Sequence, residues 1–319
     1  MNILVFLESD GSVKKSSLEA LAYAHKTAEA LGGGAITAVI AGPTTTDLGS
    51  LGGYGVQKVL HADDGAFVQV DIMTSAAVLK QAIAISNPDL VVLAKSSLVD
   101  AMAPRVAAAT GAALATNVVD LPVLNNGVLT VKRSIYTGKA FSDVALNATL
   151  RILTVKKGAA TGFEPNSAIT TVESLSVSLS ASDKALTSKG TEKATGEILL
   201  PEADLVVSGG RGLKGPENWG LITDLAKTLG AATACSKPVS DLDWRPHHEH
   251  VGQTGIKVSP SLYIAAGISG AIQHVAGISS SKCIVAINSD PEAPIFKVAD
   301  YGIVGDVFKI LPALNQALK

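Results

Sequence analysis

Ser269, Gln273 and His274 crowd into one stretch, Gly267-Ile268-Ser269-Gly270-Ala271-Ile272-Gln273-His274, between the apolar run Leu262 to Ala266 and the pair Val275-Ala276. A strand that ends in glycines and turns into a helix presents unpaired backbone N–H groups and a positive dipole end, both suited to an anion. The stretch therefore predicts a site for a phosphate-bearing cofactor, with Ser269 capping a helix over 269–277 and His274 a proton donor beside it. Each residue also has a plainer reading, as an ordinary N-cap serine and a hydrogen-bonded helix histidine.

Two further segments point the same way. Ser208-Gly209-Gly210-Arg211-Gly212 follows an apolar run and precedes a helical pattern. Its glycines permit close backbone approach to a ligand, and Arg211 can bind phosphate or stack on a ring. It is not the GxGxxG pattern of dinucleotide folds, and Gly-Gly after a strand equally fits a tight turn. Val251-Gly252-Gln253-Thr254-Gly255 sets an amide and a hydroxyl between glycines, as donors to a planar heterocycle or as a polar hairpin turn. His247-His248-Glu249-His250 looks like a metal cluster, but adjacent residues rarely all face one ion and no second ligand group stands at zinc-site spacing. No metal is expected. Nor is there a GxSxG elbow, a Walker lysine motif or a Cys/His/Asp constellation, so hydrolysis has no support.

Segments of this kind need strands that deliver them to one edge of a sheet. Short apolar runs near Ile3 to Leu7, Ile36 to Ala41, Val56 to His61 and Leu90 to Ala94 alternate with helical periodicity over Ser17 to Leu31, capped by Ser16 or Ser17, and over Asp71 to Ser86. This βαβ series predicts a parallel sheet with right-handed crossovers. Pro104 suits the first turn of a helix over the Ala-rich run that follows it. From Ala115 onward β-rich runs, including Leu129 to Tyr136 and Leu150 to Val155, predict antiparallel extensions of the same sheet. Leu175 to Ser180 alternates like a half-solvated strand, and the polar stretch 182–196 reads as a linker. A second α/β series then places strands near 204–208, 261–266, 283–287 and 302–304, with helices near 216–229, 269–277 and 306–318.

At 319 residues, the chain is expected to form two domains, 1–190 and 191–319. With 47% hydrophobic and only 17% charged residues, it reads as a globular α/β protein with helices covering both sheet faces. A net charge of −2 supplies no electrostatic footprint for nucleic acid or an anionic membrane. The N-terminal apolar run meets Glu8 and Asp10, which marks a strand rather than a signal peptide, and no apolar run is long enough to span a membrane. A cytoplasmic protein without membrane insertion is expected. Cys235 and Cys283 form no CxxC pair and read as reduced, mostly buried thiols.

The ordered set Ser-Gly-Gly-Arg-Gly, Val-Gly-Gln-Thr-Gly, Gly-Ile-Ser-Gly-Ala-Ile-Gln-His, Ile-Val-Ala-Ile-Asn-Ser-Asp-Pro-Glu-Ala-Pro-Ile-Phe and Ala-Asp-Tyr-Gly-Ile-Val resembles the large (alpha) subunit of bacterial electron transfer flavoproteins. The match is dense over 204–319 and looser before residue 190. The resemblance implies an N-terminal Rossmann-like α/β domain that makes subunit and partner contacts. It also implies a C-terminal doubly wound parallel-sheet domain that binds FAD. Members pair with a smaller beta subunit that holds AMP. They carry electrons from a primary dehydrogenase, for which an amine dehydrogenase is one candidate, to a downstream acceptor. They have no small-molecule substrate of their own.

By the same resemblance, Arg211 and the backbone of Gly252, Ser269, Gly270 and Ala271 contact FAD, within a set that includes Ser236, Val251, Gln253, Ile272, Gln273 and Val307. Thr254 is similar to the hydroxyl donor at the central ring nitrogen of the flavin, and His274 to the donor at its pyrimidine carbonyl. Asn288 and Asp306 match positions at the adenosine end; otherwise they read as a turn asparagine and an N-cap aspartate. One position departs: most members carry Ala-Ser-Arg where this chain reads Cys235-Ser236-Lys237. Lysine keeps the charge but lacks the planar guanidinium that stacks on a ring. A nicotinamide-dependent oxidoreductase and a non-redox nucleotide-binding regulator are the competing readings, because phosphate loops do not by themselves distinguish dinucleotides.

Overall fold

The computed structural model describes residues 1–68, 71–138, 140–160, 162–186, 199–201 and 203–319. The chain divides into two compact units, Met1–Tyr136 with Ala140–Thr191, and Thr137–Lys139 with Glu192–Lys319.

The first unit is built on a ten-stranded sheet. Ile3–Leu7 and Leu90–Ala94 lie side by side at its centre, and every residue of both is buried. Alternation sorts their side chains: Ile3, Val5 and Leu7 enter the core cluster that includes Leu21 and Ala24 of the helix Lys15–Ala30. Leu4 and Phe6 enter the opposite one, with Leu79 of the helix Ile72–Ser86 and Met102 of the helix Ser97–Thr110. Helices on both faces explain why these strands are continuously apolar.

The structure corrects four local expectations here. Lys14, not Ser16 or Ser17, holds the cap position of the first helix; Ser17 Oγ instead accepts the Glu8 N–H at 2.9 Å. Pro104 lies inside the helix Ser97–Thr110, because Ser96 caps that helix by accepting the Val99 N–H and so starts it well before the proline. Arg151–Val155 is not an antiparallel extension but a parallel strand between Leu90–Ala94 and Ala113–Val118. The antiparallel part is the Val128–Ile135 strand with its partners Ala140–Leu146, Val123–Asn125 and Ala113–Val118.

The fourth correction concerns the alternating segment after residue 174. The strand is Thr171–Ser174, and Leu175 to Ser180 belongs to no strand. Leu175, Val177 and Leu179 still pack on the core. The Gln81 side-chain amide does what a neighbouring strand would do, donating to the Ser178 carbonyl at 2.8 Å and accepting its N–H at 3.0 Å. The expected linker over 182–196 lies mostly outside the described residues.

The second unit carries a five-stranded, all-parallel sheet in the spatial order Ala232–Cys235, Leu205–Gly209, Leu262–Ala266, Ile284–Asn288, Tyr301–Val304. The first of these was not legible as a strand, since Ala-Thr-Ala-Cys is short and Ala-rich. The expected helix over 216–229 opens with a 3-10 turn, Pro216–Asn218, and becomes α-helical at Gly220–Leu229. The last helix, Val307–Ala317, is capped by Asp306, which accepts the Phe308 N–H. Buried clusters on both faces, one around Tyr263 and Ile295 and one around Trp219 and Ile222, make the unit doubly wound.

Candidate functional site

Numbered along the chain, the second sheet runs 2-1-3-4-5, so the crossovers reverse direction between Leu205–Gly209 and Leu262–Ala266. In open α/β sheets, ligands bind outside the carboxyl ends of the strands at such a switch point. A pocket of about 900 Å³ opens there, lined by Arg211 and Gly212 after one strand and by Gly267, Ile268 and Ser269 after the other. That volume is near the top of the roughly 300–1,000 Å³ range of ligand pockets, room for a ligand of dinucleotide size.

The two glycine loops serve each other before they serve a ligand. A Cβ on Gly210 would stand 2.2 Å from the Gly267 carbonyl oxygen, so the strand-end loops meet backbone to backbone. This close approach of the two loops is a role within the fold, in line with the tight-turn reading of Gly-Gly. The capping expectation changes. The helix is Ile272–Ile278 with Ala271 at its cap, and no side chain caps it. Ser269 lies in the loop before it, its carbonyl accepting the Ile295 N–H at 3.0 Å. Gly270 adopts a positive φ of 84° and packs on the Ile295 backbone, which lets the chain turn between strand and helix.

The pocket's titratable side chains come from three directions. His274, buried on its helix, places Nε2 3.0 Å from the hydroxyl of the fully buried Tyr263. Burial lowers its pKa to about 4, opposed by the Val251 backbone and assisted by His250. His250 is also buried, with Nδ1 unpartnered; burial and then the nearby His247 hold its pKa below the usual value. The sequence run that includes His250 gathers no metal site: among the described residues no group of three His, Cys, Asp or Glu side chains could hold an ion.

A histidine buried neutral makes stability pH-dependent. The unfolded imidazole binds a proton near pH 6.5 and the folded one only near pH 4, so the unfolded state holds more protons in between. Stability should therefore fall as pH drops from about 6.5 through about 4, and a His274→Phe variant should show a flatter dependence across that window. Urea titrations at half-unit pH steps measure both. Parallel curves for the two proteins would refute the assignment.

Lys237 and Arg211 supply exposed cations to the pocket, and Ser236, buried, caps the short helix Lys237–Asp241 by position. Gln253 and Thr254 line it from the loop that bridges Val251 to Ile256. Asn288 also lines it, with its amide already committed: Nδ2 donates to the Ile268 carbonyl at 2.9 Å, and Oδ1 accepts the Asp290 N–H at 3.0 Å. Val251, Ala271 and Gln273 complete the foreseen residues on the wall. Gly252, Gly270, Ile272, Asp306 and Val307 are not on it; Val307 is buried in the core cluster around Trp219. Trp244, Asp241 and His250 are also on the wall; no local pattern marks the first two, and His250 stands out in the sequence only within a run that looks like a metal cluster.

Residues 3–180 match the family model described as electron transfer flavoprotein domain, more than half of the chain. The chain belongs to the electron transfer flavoprotein family. Residues 199–279 match the electron transfer flavoprotein FAD-binding domain. The chain is 39% identical over 324 residues to the electron transfer flavoprotein subunit alpha of Syntrophomonas wolfei, covering 99% of this chain and 98% of the relative. It is 36% identical over 312 residues to the same subunit of Bacillus subtilis, covering 97% and 94%. With Protein FixB of Clostridium saccharobutylicum it shares 36% identity over 326 residues, covering 99% and 96%.

An electron transfer flavoprotein alpha subunit binds FAD, and nothing favours the nicotinamide alternative. The residues present fit the cofactor on the structure's own terms. Three cations, Arg211, Lys214 and Lys237, outnumber the two carboxylates Asp241 and Asp290 around the pocket, and it opens at the strand ends of the switch point, so it is equipped for a polar, anionic ligand. No helix among the described residues is long and apolar enough to cross a membrane.

Proposed function

We propose that FAD occupies the switch-point pocket of this electron transfer flavoprotein alpha subunit, held by Arg211, Ser236, Lys237, Val251, Gln253, Thr254, Ser269, Ala271, Gln273, His274 and Asn288. The observation that carries this reading is the pocket of about 900 Å³ at the carboxyl ends of the parallel strands, where the crossovers reverse direction. Bound FAD supplies reversible electron uptake and release. The chain's residues supply position and field. Arg211 and Lys237 set a positive potential, and Thr254 and His274 offer hydrogen bonds to the edge where reduction places negative charge. Gly252, Gly270 and Ile272 act behind the wall by shaping the loops, and Asp306 with Val307 by anchoring the last helix. The N-terminal unit, 1–190, provides contacts to a smaller beta subunit. The complex works in the cytoplasm between a primary dehydrogenase, with an amine dehydrogenase as one candidate, and a downstream acceptor, without a small-molecule substrate of its own.

Potentiometry of the FAD-loaded heterodimer tests the reading. His274→Ala should lower the flavin potential by the equivalent of about 1.5–3 kcal/mol, the range for a hydrogen bond to a charged group. An unchanged potential would leave His274 an ordinary helix residue. Lys237→Arg should raise the potential for the first electron by on the order of 1 kcal/mol, about 40 mV, because a planar guanidinium fixes its charge over a ring better than a mobile, hydrated ammonium. Identical first-electron potentials would remove Lys237 from the flavin's surroundings.

A further inference from the structure

We propose that Lys214 is a cofactor-binding cation: held in a left-handed turn, it presents its ammonium to the pyrophosphate of the dinucleotide, away from the flavin ring. This rests on the placement of FAD in the switch-point pocket, given above, and adds a residue to the set proposed there.

The first observation is its backbone. Lys214 closes the 3-10 turn Arg211–Leu213 at φ 68° and ψ −18°, its N–H donating to the Arg211 carbonyl at 2.9 Å. Glycine is the usual residue at such a turn end, because a Cβ there is strained. The folded chain supplies little that offsets the strain. Lys214 is exposed, and among the described residues it forms no ion pair. Its ammonium stands 5.1 Å from the centre of the Phe308 ring, a contact that is weak where water reaches it. A lysine that strains its turn and gains so little from the fold has its use at the ligand.

The second observation is its place. Lys214 lines the pocket on the same loop as Arg211. Phe308 belongs to the first turn of the last helix, which packs on the strand Ile284–Asn288. The ammonium therefore stands on that side of the pocket. Lys237 follows Ala232–Cys235 instead, with two strands between it and Ile284–Asn288. At the usual strand spacing those two strand ends are roughly 14 Å apart. The loop carrying Thr254 starts from Val251, whose N–H donates to the Cys235 carbonyl at 3.0 Å, so the ring end of the pocket lies with Lys237.

The chemistry of the ligand assigns the far cation. A dinucleotide carries its negative charge on the pyrophosphate, between the ring and the nucleoside, and a flexible ammonium binds phosphate as a point charge. Lys214 also offsets Asp290, the carboxylate that lines the pocket just past Asn288. The two lysines thereby divide the work: Lys237 acts on the ring, and Lys214 on retention of the cofactor.

Release of FAD from the loaded heterodimer, followed by repeated ultrafiltration and absorbance over a series of salt concentrations, tests the assignment. Lys214→Met keeps the stem and removes the charge; it should release FAD about tenfold faster, the loss of one charge-assisted contact. Added salt, which screens an exposed ammonium, should speed release less in this variant than in the unaltered protein. Lys214→Gly relieves the turn and should still release FAD as readily as Lys214→Met, whereas Lys214→Arg should retain it. The flavin potential of Lys214→Met should equal that of the unaltered protein. A glycine variant that holds FAD as tightly as lysine would reduce Lys214 to a turn residue and overturn the proposal. An arginine variant that behaves like methionine also overturns it, and a shifted potential in Lys214→Met would put the ammonium at the ring instead. Arg211→Met separates this proposal from the reading beneath it. If Arg211→Met speeds release and Lys214→Met does not, the role of Lys214 alone falls; if neither does, FAD lies elsewhere and both fall.

Discussion

Arg245→Ala should destabilise the C-terminal unit by about 3–5 kcal/mol, the range for removing one partner of a buried ion pair. Arg245 Nε donates to Glu249 Oε2 at 2.9 Å and Nη2 donates to Oε1, an i,i+4 fork in which the carboxylate is only 2% exposed. The guanidinium also stands 5.6 Å from the centre of the Trp219 ring, itself buried in the core beneath the first strand of the unit. Alanine removes the fork and the stacking together and strands a carboxylate away from water. The effect reaches the Cys235 thiol, whose pKa burial pushes up to about 12, with Glu249 adding to the rise and Arg245 opposing it. Both tryptophans of the chain, Trp219 and Trp244, belong to this unit, so their fluorescence in a urea titration reports its unfolding. Arg245→Met with Glu249→Leu should recover most of the loss, since replacing both charges with apolar groups is often neutral. A loss under 1 kcal/mol in Arg245→Ala would show that the carboxylate finds another partner.

Gly270→Ala should cost about 2–4 kcal/mol and release FAD more readily. A non-glycine residue at φ 84° contributes about 1 kcal/mol or more of backbone strain, and the new methyl adds the 1–3 kcal/mol typical of overpacking. The methyl would lie 2.3 Å from the Ile295 nitrogen, too close for either backbone to stay in place. Relief requires breaking the Ile295 N–H bond to the Ser269 carbonyl and moving the turn Pro294–Lys297, whose Pro294 lines the pocket. Equal FAD retention in Gly270→Ala and the unaltered protein, measured by ultrafiltration and absorbance, would contradict the coupling of this turn to the pocket.

The elements legible from the sequence were those whose neighbours are implied by their own composition. Ile3–Leu7, Ile36–Ala41 and Leu90–Ala94 are unbroken apolar runs because helices cover both faces, and their bounds could be read directly. Arg151–Val155 was equally readable as a strand, but its parallel placement between two others depends on pairing that composition does not encode. Leu175 to Ser180 carries a strand's alternation, and only the distant Gln81 amide reveals that a side chain takes the place of a paired strand. Ala232–Cys235 escaped because four small residues carry too little period to count.

The site divides in the same way. Glycine-rich strand ends, a histidine on the following helix and the family's ordered motifs are properties of local sequence, and from them the cofactor class and family could be named. Nothing local announces that His250 and Trp244 share a wall with Arg211, that Gly210 meets the backbone of Gly267, or that Ala271 takes the cap in place of Ser269. These facts arise where strands far apart in the chain end side by side at a reversal of crossover direction.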